Sequence, residues 1–165
     1  MAQGGTGEIW IKGEPGVTLM KGYYGNPEAT REAIADGKWL RTGDLGFFGE
    51  SGSLHFVDRI KKIIKCKGEN ISASEVEECI AGMAGVSEVS VIGIHDDVCG
   101  ETPLAVIAPE SFARLDAELV RAYCEQRLAH FKVPALYAFE EELPRTPTGK
   151  VDRRALSAKY DARKN

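Results

Sequence analysis

Two runs rich in valine and isoleucine constrain the fold more strongly than any other part of the chain. They are VSEVSVIGIHD at residues 86–96 and TPLAVIAP at residues 102–109. Branched apolar side chains favour β-strands, and so high an apolar content is typical of strands buried within a core. Pro109 ends the second run, because proline has no N–H to donate within a sheet. The chain has 165 residues, of which 43% are hydrophobic, and this is enough to form such a core.

Two helices are predicted beside these strands. Ser72, followed three residues later by Glu75, forms a capping box in front of an apolar helical face. Asp116 is the predicted N-cap of the longest helix, whose apolar stripe reaches Leu128 and which Pro134 is expected to end. A last short strand, LYAFEEEL, and a closing helix, VDRRALSAKY, complete this half of the chain. Strands alternating with helices predict a compact α+β domain with one small sheet.

The first third of the chain is predicted to be rich in β-structure. GEIWIKG alternates apolar and polar residues, as a half-buried strand does, and NPEATREAIADG favours a short helix with Pro27 in its first turn. WLRTGDLGFFGESGSLHFVDR is predicted to form short strands joined by a Gly/Ser turn. In the last of these strands, Leu54, Phe56 and Asp58 are expected on one side.

Charge and cysteine usage exclude several classes of protein. The formal net charge of −4 argues against binding to a nucleic-acid polymer, although local basic clusters can bind smaller anions. The four cysteines form no CxxC pair and no metal-ligand spacing with the three histidines. We therefore expect no metal site and a reducing, cytoplasmic location. No run approaches the roughly 20 apolar residues that span a bilayer, so no transmembrane segment is expected.

The stretch DRIKKIIKCKG concentrates positive charge. Five of the nine residues from Arg59 to Lys67 are basic, which favours an anion as ligand. If IKKIIK forms one strand, Lys61 and Lys65 share a face and Lys62 points away. The alternative is a solvated edge strand whose lysines prevent pairing with other chains. The pattern alone leaves both interpretations open.

Two shorter motifs also allow two interpretations each. RTGDLG places Asp44 in a turn between glycines, where its carboxylate either binds a vicinal diol such as a ribose or bonds its own backbone in an Asx-turn. In TPTGK, Gly149 permits a turn with positive φ in front of Lys150. The chain lacks the GxxxxGK[ST] spacing of a phosphate loop, which excludes a Walker-type nucleotide site.

The motifs taken together, in their order and spacing, resemble a known family. GEIWIKG, YYGNPEAT, WLRTGDLG, VDRIKKIIKCKGENISASEVE and FKVPALYAFEEELPRTPTGKVDRR resemble the C-terminal part of adenylate-forming enzymes, the family of acyl-CoA synthetases, firefly luciferase and nonribosomal adenylation domains. The resemblance extends from about Gly7 to about Leu156. Within the family, YCEQRLAHFKVPAL is most similar to carnitine or crotonobetaine-CoA ligases and fatty acyl-CoA ligases.

The resemblance implies a division into domains. Residues 1–57 would be the β-rich tail of a large N-terminal adenylation domain, and residues 161–165 a terminal tail. Residues 58–160 would be a small mobile lid domain of the α+β class, with a short central sheet flanked by helices. The chain is then expected to be a truncated piece that is inactive alone. Unpaired strand edges in its first part would allow association with a second copy.

The resemblance also implies residue roles. Asp44 of TGD and Arg59 of DR would hold the ribose hydroxyls of the adenylate, and Lys61 would be the hinge of the mobile domain. Lys150 would be the catalytic lysine of the adenylation step. The arginines that flank it are interpreted as surface charge that keeps its loop solvated or steers it towards phosphates: Arg145, Arg153 and Arg154.

A second segment would serve the thioester-forming step. Lys65, Cys66, Lys67 and Gly68 resemble the segment that faces the active site in that step and lines the pantetheine tunnel of coenzyme A. Gly68 would leave this path unobstructed because it has no side chain. Cys66 is interpreted as a small packing residue, with a redox switch as the alternative.

The implied function is that of a C-terminal fragment of an ATP-dependent acid:CoA ligase. ATP, coenzyme A and a carboxylic acid would be substrates of the full-length enzyme, with Mg²⁺ held by the absent N-terminal domain and nothing bound tightly by this chain. Two alternatives stay open: a non-catalytic interaction or carrier-protein docking module, and part of a nonribosomal-type adenylation enzyme.

Overall fold

The computed structural model describes residues 5–111 and 113–161. It divides the chain into two compact units, residues 1–61 and residues 62–165. Residues 1–4 of the predicted first domain and residues 162–165 of the predicted tail lie outside the described residues. The unit boundary falls between Lys61 and Lys62. The functional division at residues 57 and 58 stays a prediction.

The first unit is built on one antiparallel sheet. Its elements are β1 (Gly7–Lys12), α1 (Pro27–Ala33), β2 (Ile34–Ala35), β3 (Trp39–Phe48) and β4 (Leu54–Arg59). The long strand β3 is central, because β1, β2 and β4 all pair with it. α1 begins where the sequence predicts: the Asn26 side chain accepts a hydrogen bond from the Ala29 N–H at 3.0 Å, and Pro27 follows the cap.

Strand β4 departs from the predicted alternation. Phe56 is 61% exposed and Leu54 is exposed as well, whereas Asp58 is only 1% exposed. The pairing with β3 shifts here, since Leu45 opposes Asp58 but Gly46 opposes Phe56. A bulge of this kind interrupts the two-residue period of a strand. The prediction that Asp58 shares the side of Leu54 and Phe56 is therefore wrong.

The second unit is an α+β domain around a five-stranded sheet. Its strands are β5 (Ile63–Cys66), β6 (Glu69–Ser72), β7 (Val86–Asp96), β8 (Gly100–Pro109) and β9 (Leu136–Phe139). Its helices are α2 (Ala73–Ala81), α3 (Ala117–Glu125) and α4 (Arg153–Asp161), with short 3₁₀ helices at Ile60–Lys62, where the units join, and at His130–Lys132. The strand order is β6-β5-β8-β7, and β9 runs parallel to β8. The predicted fold class is confirmed.

The helix starts follow the sequence, but one helix end does not. The Ser72 side chain accepts a hydrogen bond from the Glu75 N–H, and the Asp116 side chain accepts one from the Leu119 N–H. Both predicted caps are therefore confirmed. α3 nevertheless ends at Glu125, far short of Pro134. The Arg127 side chain donates to the Tyr123 carbonyl, the group that the Arg127 N–H would bond if the helix continued.

Strands β7 and β8 are buried on both faces, as their composition predicts. Val91 and Ile107 belong to a core that α2 and α3 cover, whereas Ile92 and Val106 belong to a second core that α4 covers. Successive residues of a strand point to opposite faces, so consecutive apolar residues fill two cores. The helices and the sheet between them form three layers.

Two thiols and a phenol meet in the first core. Cys124 of α3 is fully buried, Cys79 of α2 packs beside it, and burial raises the pKa of both thiols, to about 12 for Cys124. The Tyr137 hydroxyl is buried without a hydrogen-bond partner in the described part of the chain, and its burial raises the pKa of the phenol. Every one of these groups stays uncharged near neutral pH.

The raised pKa of the Cys124 thiol predicts that the folded chain loses stability at alkaline pH. Its pKa is about 12 in the folded chain, against an ordinary value of 9.0, so above pH 9 the unfolded chain releases a proton that the folded chain retains. This contribution to stability is complete below pH 9 and is lost as the pH rises towards 12, by up to about 1.4 kcal/mol per pH unit. Urea titrations between pH 8 and pH 10.5 measure the slope.

Cys124→Ala is expected to lower stability at pH 7 and to make that slope shallower. Val120→Ala, at a buried position of the same helix, should lower stability and keep the wild-type slope, since it removes no titrating group. Equal slopes for wild type and Cys124→Ala would contradict the assignment.

Candidate functional site

Asp44 and Arg59 form an ion pair across two strands. They are cross-strand partners in β3 and β4, and Arg59 Nε donates to Asp44 Oδ1 at 2.8 Å. The Asp44 N–H donates to Thr42 Oγ1 at 3.0 Å. Asp44 lies within β3, so the predicted turn is wrong, and the φ of 73° at Gly43 falls where the pairing of β3 with β1 shifts. The Asp44 side chain is 28% exposed and that of Arg59 is 64% exposed. Both can therefore bind a further polar group.

A cavity of about 490 Å³ opens beside this pair within the first unit. Its lining includes three cations and two carboxylates together with polar and aromatic side chains: Glu8, Tyr23, Glu32, Arg41, Thr42, Arg59 and Lys61. The cavity thus brings the predicted ribose-binding arginine and the predicted hinge lysine to one wall. A cavity with this mixture of donors and acceptors suits a polar, anionic ligand.

Glu8 organises the wall of this cavity. Its carboxylate accepts from Trp10 Nε1 at 2.8 Å, from Arg41 Nε at 3.2 Å and from the Gly43 N–H at 3.2 Å. Burial raises the pKa of the Glu8 carboxyl, but these hydrogen bonds and the Arg41 charge outweigh that effect and leave the pKa lowered. Sequence reasoning missed Glu8. The available signal was a carboxylate at a polar position of the alternating strand pattern, GEIWIKG.

Lys61 lies in the 3₁₀ helix Ile60–Lys62, where the two units join. The strand β5 begins only after it, at Ile63, so Lys61 and Lys65 do not alternate along one strand as IKKIIK suggested. β5 also lies between β6 and β8 in the sheet order, which makes the interpretation as an edge strand wrong. Lys62 donates to Ser74 Oγ at 3.0 Å and to Glu77 Oε2 at 3.2 Å.

The predicted thioester-step segment forms the hairpin between β5 and β6. Lys67 and Gly68 make a two-residue turn with φ values of 50° and 82°, flanked by the pair Cys66 and Glu69. Two successive positive φ angles are typical of the tight turns that suit strand twist. A Cβ at Gly68 would meet no described atom of this chain within 4 Å, so within the chain the backbone angle is what favours glycine.

Contacts with neighbouring strands hold this hairpin in place. The Lys65 N–H donates to Glu101 Oε2 at 2.8 Å, and the Lys67 N–H donates to the Cys99 carbonyl at 2.9 Å. Cys66 is half-buried against the first core, and burial raises the pKa of its thiol. This environment favours the interpretation of Cys66 as a packing residue, because a reactive thiol needs a lowered pKa.

Lys150 is exposed in a turn that backbone hydrogen bonds close. The Thr146 N–H donates to the Lys150 carbonyl at 2.8 Å, and the Gly149 N–H donates to the Thr146 carbonyl at 2.9 Å. Gly149 has a φ of 81°, which confirms the predicted turn conformation. The ammonium group of Lys150 makes no hydrogen bond or ion pair with the described residues. The turn therefore presents a free cation.

Two of the three flanking arginines anchor this turn. Arg145 donates to Glu88 Oε2 at 2.8 Å and to the Gly149 carbonyl at 3.2 Å. Arg153 is half-buried and donates to the Glu77 carboxylate and the Val91 carbonyl. The interpretation as surface charge is wrong for Arg153, whose side chain is only 25% exposed and joins acceptors on two segments. Arg145 does lie at the surface, but its guanidinium also joins two acceptors. Arg154 alone of the three is exposed without a side-chain partner among the described residues.

Comparison with known proteins identifies the second unit. Residues 75–150 match the model of the AMP-binding enzyme C-terminal domain. The chain is 43% identical over 153 residues to the crotonobetaine/carnitine–CoA ligase of Proteus mirabilis. The alignment covers 93% of this chain and 30% of that protein. It is 41% identical over 158 residues to the long-chain-fatty-acid–CoA ligase FadD13 of Mycobacterium tuberculosis, covering 96% and 30%.

Residues 75–150 belong to the AMP-binding enzyme C-terminal domain family. The ATP-bound MatB structure from Rhodopseudomonas palustris superimposes on 98% of this chain and 31% of that protein, with a TM-score of 0.84 and 34% identity. The chain therefore spans about 30% of the length of the curated relatives that it matches. The matched part of the chain includes the AMP-binding enzyme C-terminal domain.

The predicted site residues are divided between the two units. Asp44, Arg59 and Lys61 lie in the first unit, whereas the Lys65–Gly68 hairpin and the Lys150 turn are separate loops of the second. Among residues 5–111 and 113–161, no cluster of three or more His, Cys, Asp or Glu side chains could hold a metal ion. None of the helices described is long and apolar enough to cross a membrane.

The exposure of the Asp44–Arg59 pair predicts a small effect on stability. Asp44→Asn should change the free energy of unfolding by less than about 1 kcal/mol, because exposed ion pairs contribute little. Glu8→Gln should lower it by about 1–3 kcal/mol, since it disturbs a carboxylate that three donors share. Both tryptophans, Trp10 and Trp39, lie in the first unit, so their fluorescence in a urea titration reports on that unit. A loss for Asp44→Asn as large as that for Glu8→Gln would show that Asp44 is structural.

Proposed function

We propose that this chain is the C-terminal part of an ATP-dependent acid:CoA ligase. The enzyme would join a carboxylic acid to AMP with release of pyrophosphate, and then transfer the acyl group to the thiol of coenzyme A. A large N-terminal adenylation domain would supply the rest of the active site. The relatives that support this proposal are named as CoA ligases.

The observation that carries the proposal is the state of Lys150. Its ammonium group is exposed and free of partners among the described residues, while its backbone is fixed by the bond from the Thr146 N–H at 2.8 Å. What distinguishes Lys150 from other exposed lysines is that its turn is also held by Arg145, which donates to the Gly149 carbonyl at 3.2 Å and to Glu88 at 2.8 Å. A free cation on a fixed turn is ready to meet negative charge that another part of the enzyme binds.

Lys150 would act in the first half-reaction. A carboxylate oxygen of the acid attacks the α-phosphorus of ATP, and the bond from that phosphorus to the pyrophosphate oxygen breaks. Negative charge accumulates on the carboxylate and phosphate oxygens as they approach, and the Lys150 ammonium would stabilise this charge. Lysine suits this role as a compact charge on a long stem. Removal of one such preorganised group typically raises a barrier by about 3–4 kcal/mol.

Asp44 and Arg59 would hold the ribose of the nucleotide. Their mutual hydrogen bond of 2.8 Å occupies one oxygen of Asp44 and one nitrogen of Arg59. The second carboxylate oxygen can accept from a ribose hydroxyl, and the remaining guanidinium N–H groups can donate to ribose or phosphate oxygens. Glu8 would support them indirectly, because it fixes the Gly43 backbone beside Asp44.

The second half-reaction would use the other loop of the second unit. After rotation at Lys61, the Lys65–Gly68 hairpin would face the acyl-adenylate and admit coenzyme A. The thiol sulfur then attacks the acyl carbonyl, its proton is lost and AMP leaves. Gly68 of this turn has no side chain that could obstruct the path. A hinge rotation that closes a domain over the substrate is a common way to complete a catalytic site.

The substrates and surroundings of the whole enzyme follow from the same proposal. ATP and coenzyme A are co-substrates, and Mg²⁺ would be bound by the N-terminal domain, which would also select the acid. A carnitine-like or fatty acid is the favoured class, after the relatives so named. The cysteines in the described residues are free thiols, which supports a reducing cytoplasm. Association of copies through strand edges of the first unit stays a prediction.

The test joins this chain to the N-terminal portion of the Proteus mirabilis ligase in place of the matching C-terminal part. Lys150→Ala should slow pyrophosphate release that depends on the acid by about 100- to 1,000-fold. Thioester formation from added acyl-adenylate should be unchanged, since that step uses the other loop. Arg154→Ala removes an equal charge from an exposed neighbouring position and should keep the wild-type rate. An unchanged first half-reaction in Lys150→Ala would refute the proposal.

A further inference from the structure

Glu77 of α2 lies at the centre of a half-buried polar cluster in the second unit. Its side chain is only 18% exposed, and both carboxylate oxygens accept hydrogen bonds. Oε1 accepts from the Val91 N–H at 2.9 Å, from Ser90 Oγ at 3.4 Å and from Arg153. Oε2 accepts from Lys62 Nζ at 3.2 Å. One carboxylate therefore joins the start of the unit, strand β7 and the start of α4.

Arg153 connects this cluster to the Lys150 turn. It is the first residue of α4, three positions after Lys150, and its guanidinium also donates to the Val91 carbonyl and to Ser90 Oγ. The adjoining Asp152 N–H donates to the Pro144 carbonyl at 2.7 Å, which closes the base of the turn. The path from Glu77 to the turn therefore runs through the Arg153 guanidinium, which three acceptors hold, and the backbone hydrogen bond of Asp152.

Lys62 connects the same carboxylate to the junction between the units. It is the first residue of the second unit and follows Lys61 directly. Its ammonium group donates to Ser74 Oγ at 3.0 Å as well as to Glu77, so two residues of α2 hold it. The side chain is one-third exposed, and its charge is compensated within its own unit.

We propose that Glu77 is a positioning residue for Lys150. By binding Lys62 and Arg153 through its two oxygens, it makes the turn and the residue after the junction parts of one rigid body. A rotation at Lys61 is then transmitted to the Lys150 ammonium without loss in the intervening chain. This role rests on the proposed function, and it concerns residues that touch neither nucleotide nor acid.

The position of the cluster favours this role over a purely stabilising one. A half-buried ion cluster is weak evidence for stability, since apolar residues of similar volume often serve a fold as well. Hydrogen bonds are directional, so they fix the register of Arg153 relative to β7, whereas apolar packing would not. Glu75 of the same helix, by contrast, pairs with Lys132 at 2.7 Å and has no bond to the cluster.

The first test measures amide hydrogen exchange by NMR in the 165-residue chain. Glu77→Gln should accelerate exchange of the Thr146 and Asp152 amides, which close the Lys150 turn, by about tenfold. Amides in the centre of β8 should keep their rates within about twofold. Glu75→Gln is the matched control and should leave the turn unchanged. Unchanged exchange at Thr146 and Asp152 in Glu77→Gln would overturn the proposal, and so would equal acceleration in β8, which indicates a global loss of stability.

The second test uses the joined enzyme described above. Glu77→Gln should lower kcat for pyrophosphate release about tenfold and leave KM for ATP and acid unchanged, because the groups that bind both substrates are intact. Arg153→Lys, which keeps the charge but lacks the fork, should have the same effect. A loosened turn with full kcat would overturn the positioning role. If the joined wild-type enzyme released no pyrophosphate, the proposed function would fail, while hydrogen exchange would still decide whether Glu77 holds the turn.

Discussion

The burial of both faces of β7 and β8 is the constraint on which the second unit depends. Because consecutive residues such as Val91 and Ile92 fill different cores, each face of the strand pair requires its own cover. α2 and α3 supply one cover and α4 supplies the other, through Leu156 and Tyr160. The start of α4 is thereby fixed, and with it the end of the turn that carries Lys150. Apolar packing thus determines where the cation of Lys150, the proposed catalytic residue, is presented.

Polar groups at the edge of these cores complete what packing leaves undetermined. Apolar contacts are not directional, so they limit the tilt and register of α4 only approximately. The Glu77 carboxylate and the Arg153 guanidinium add bonds of defined direction between α2, β7 and α4. Arg145 and Glu88 repeat the arrangement on the other arm of the turn. The turn is therefore held on both sides, while the Lys150 ammonium at its tip remains free among the described residues.

Much of this architecture could be predicted from residues whose role is local. The caps Ser72 and Asp116, the strands β7 and β8 and the Gly149 turn follow from spacing, composition and backbone preference. Features that depend on distant partners could not be predicted in this way. The bulge opposite Leu45 depends on the register of two strands. The anchoring role of Arg153 depends on Glu77, which stands 76 positions earlier.

The same reasoning limits where motion between the two units can arise. Within the second unit, the two cores and the Glu77 cluster bind the Lys150 turn to the sheet, so that the turn and the sheet move together. The chain joins the units through Ile60–Lys62, a single 3₁₀ helix whose hydrogen-bond geometry is weaker than that of an α-helix. Lys62 is held by α2, whereas Lys61 lines the cavity of the first unit. The change from one unit to the other therefore falls at the backbone between these two residues, which supports Lys61 as the proposed hinge.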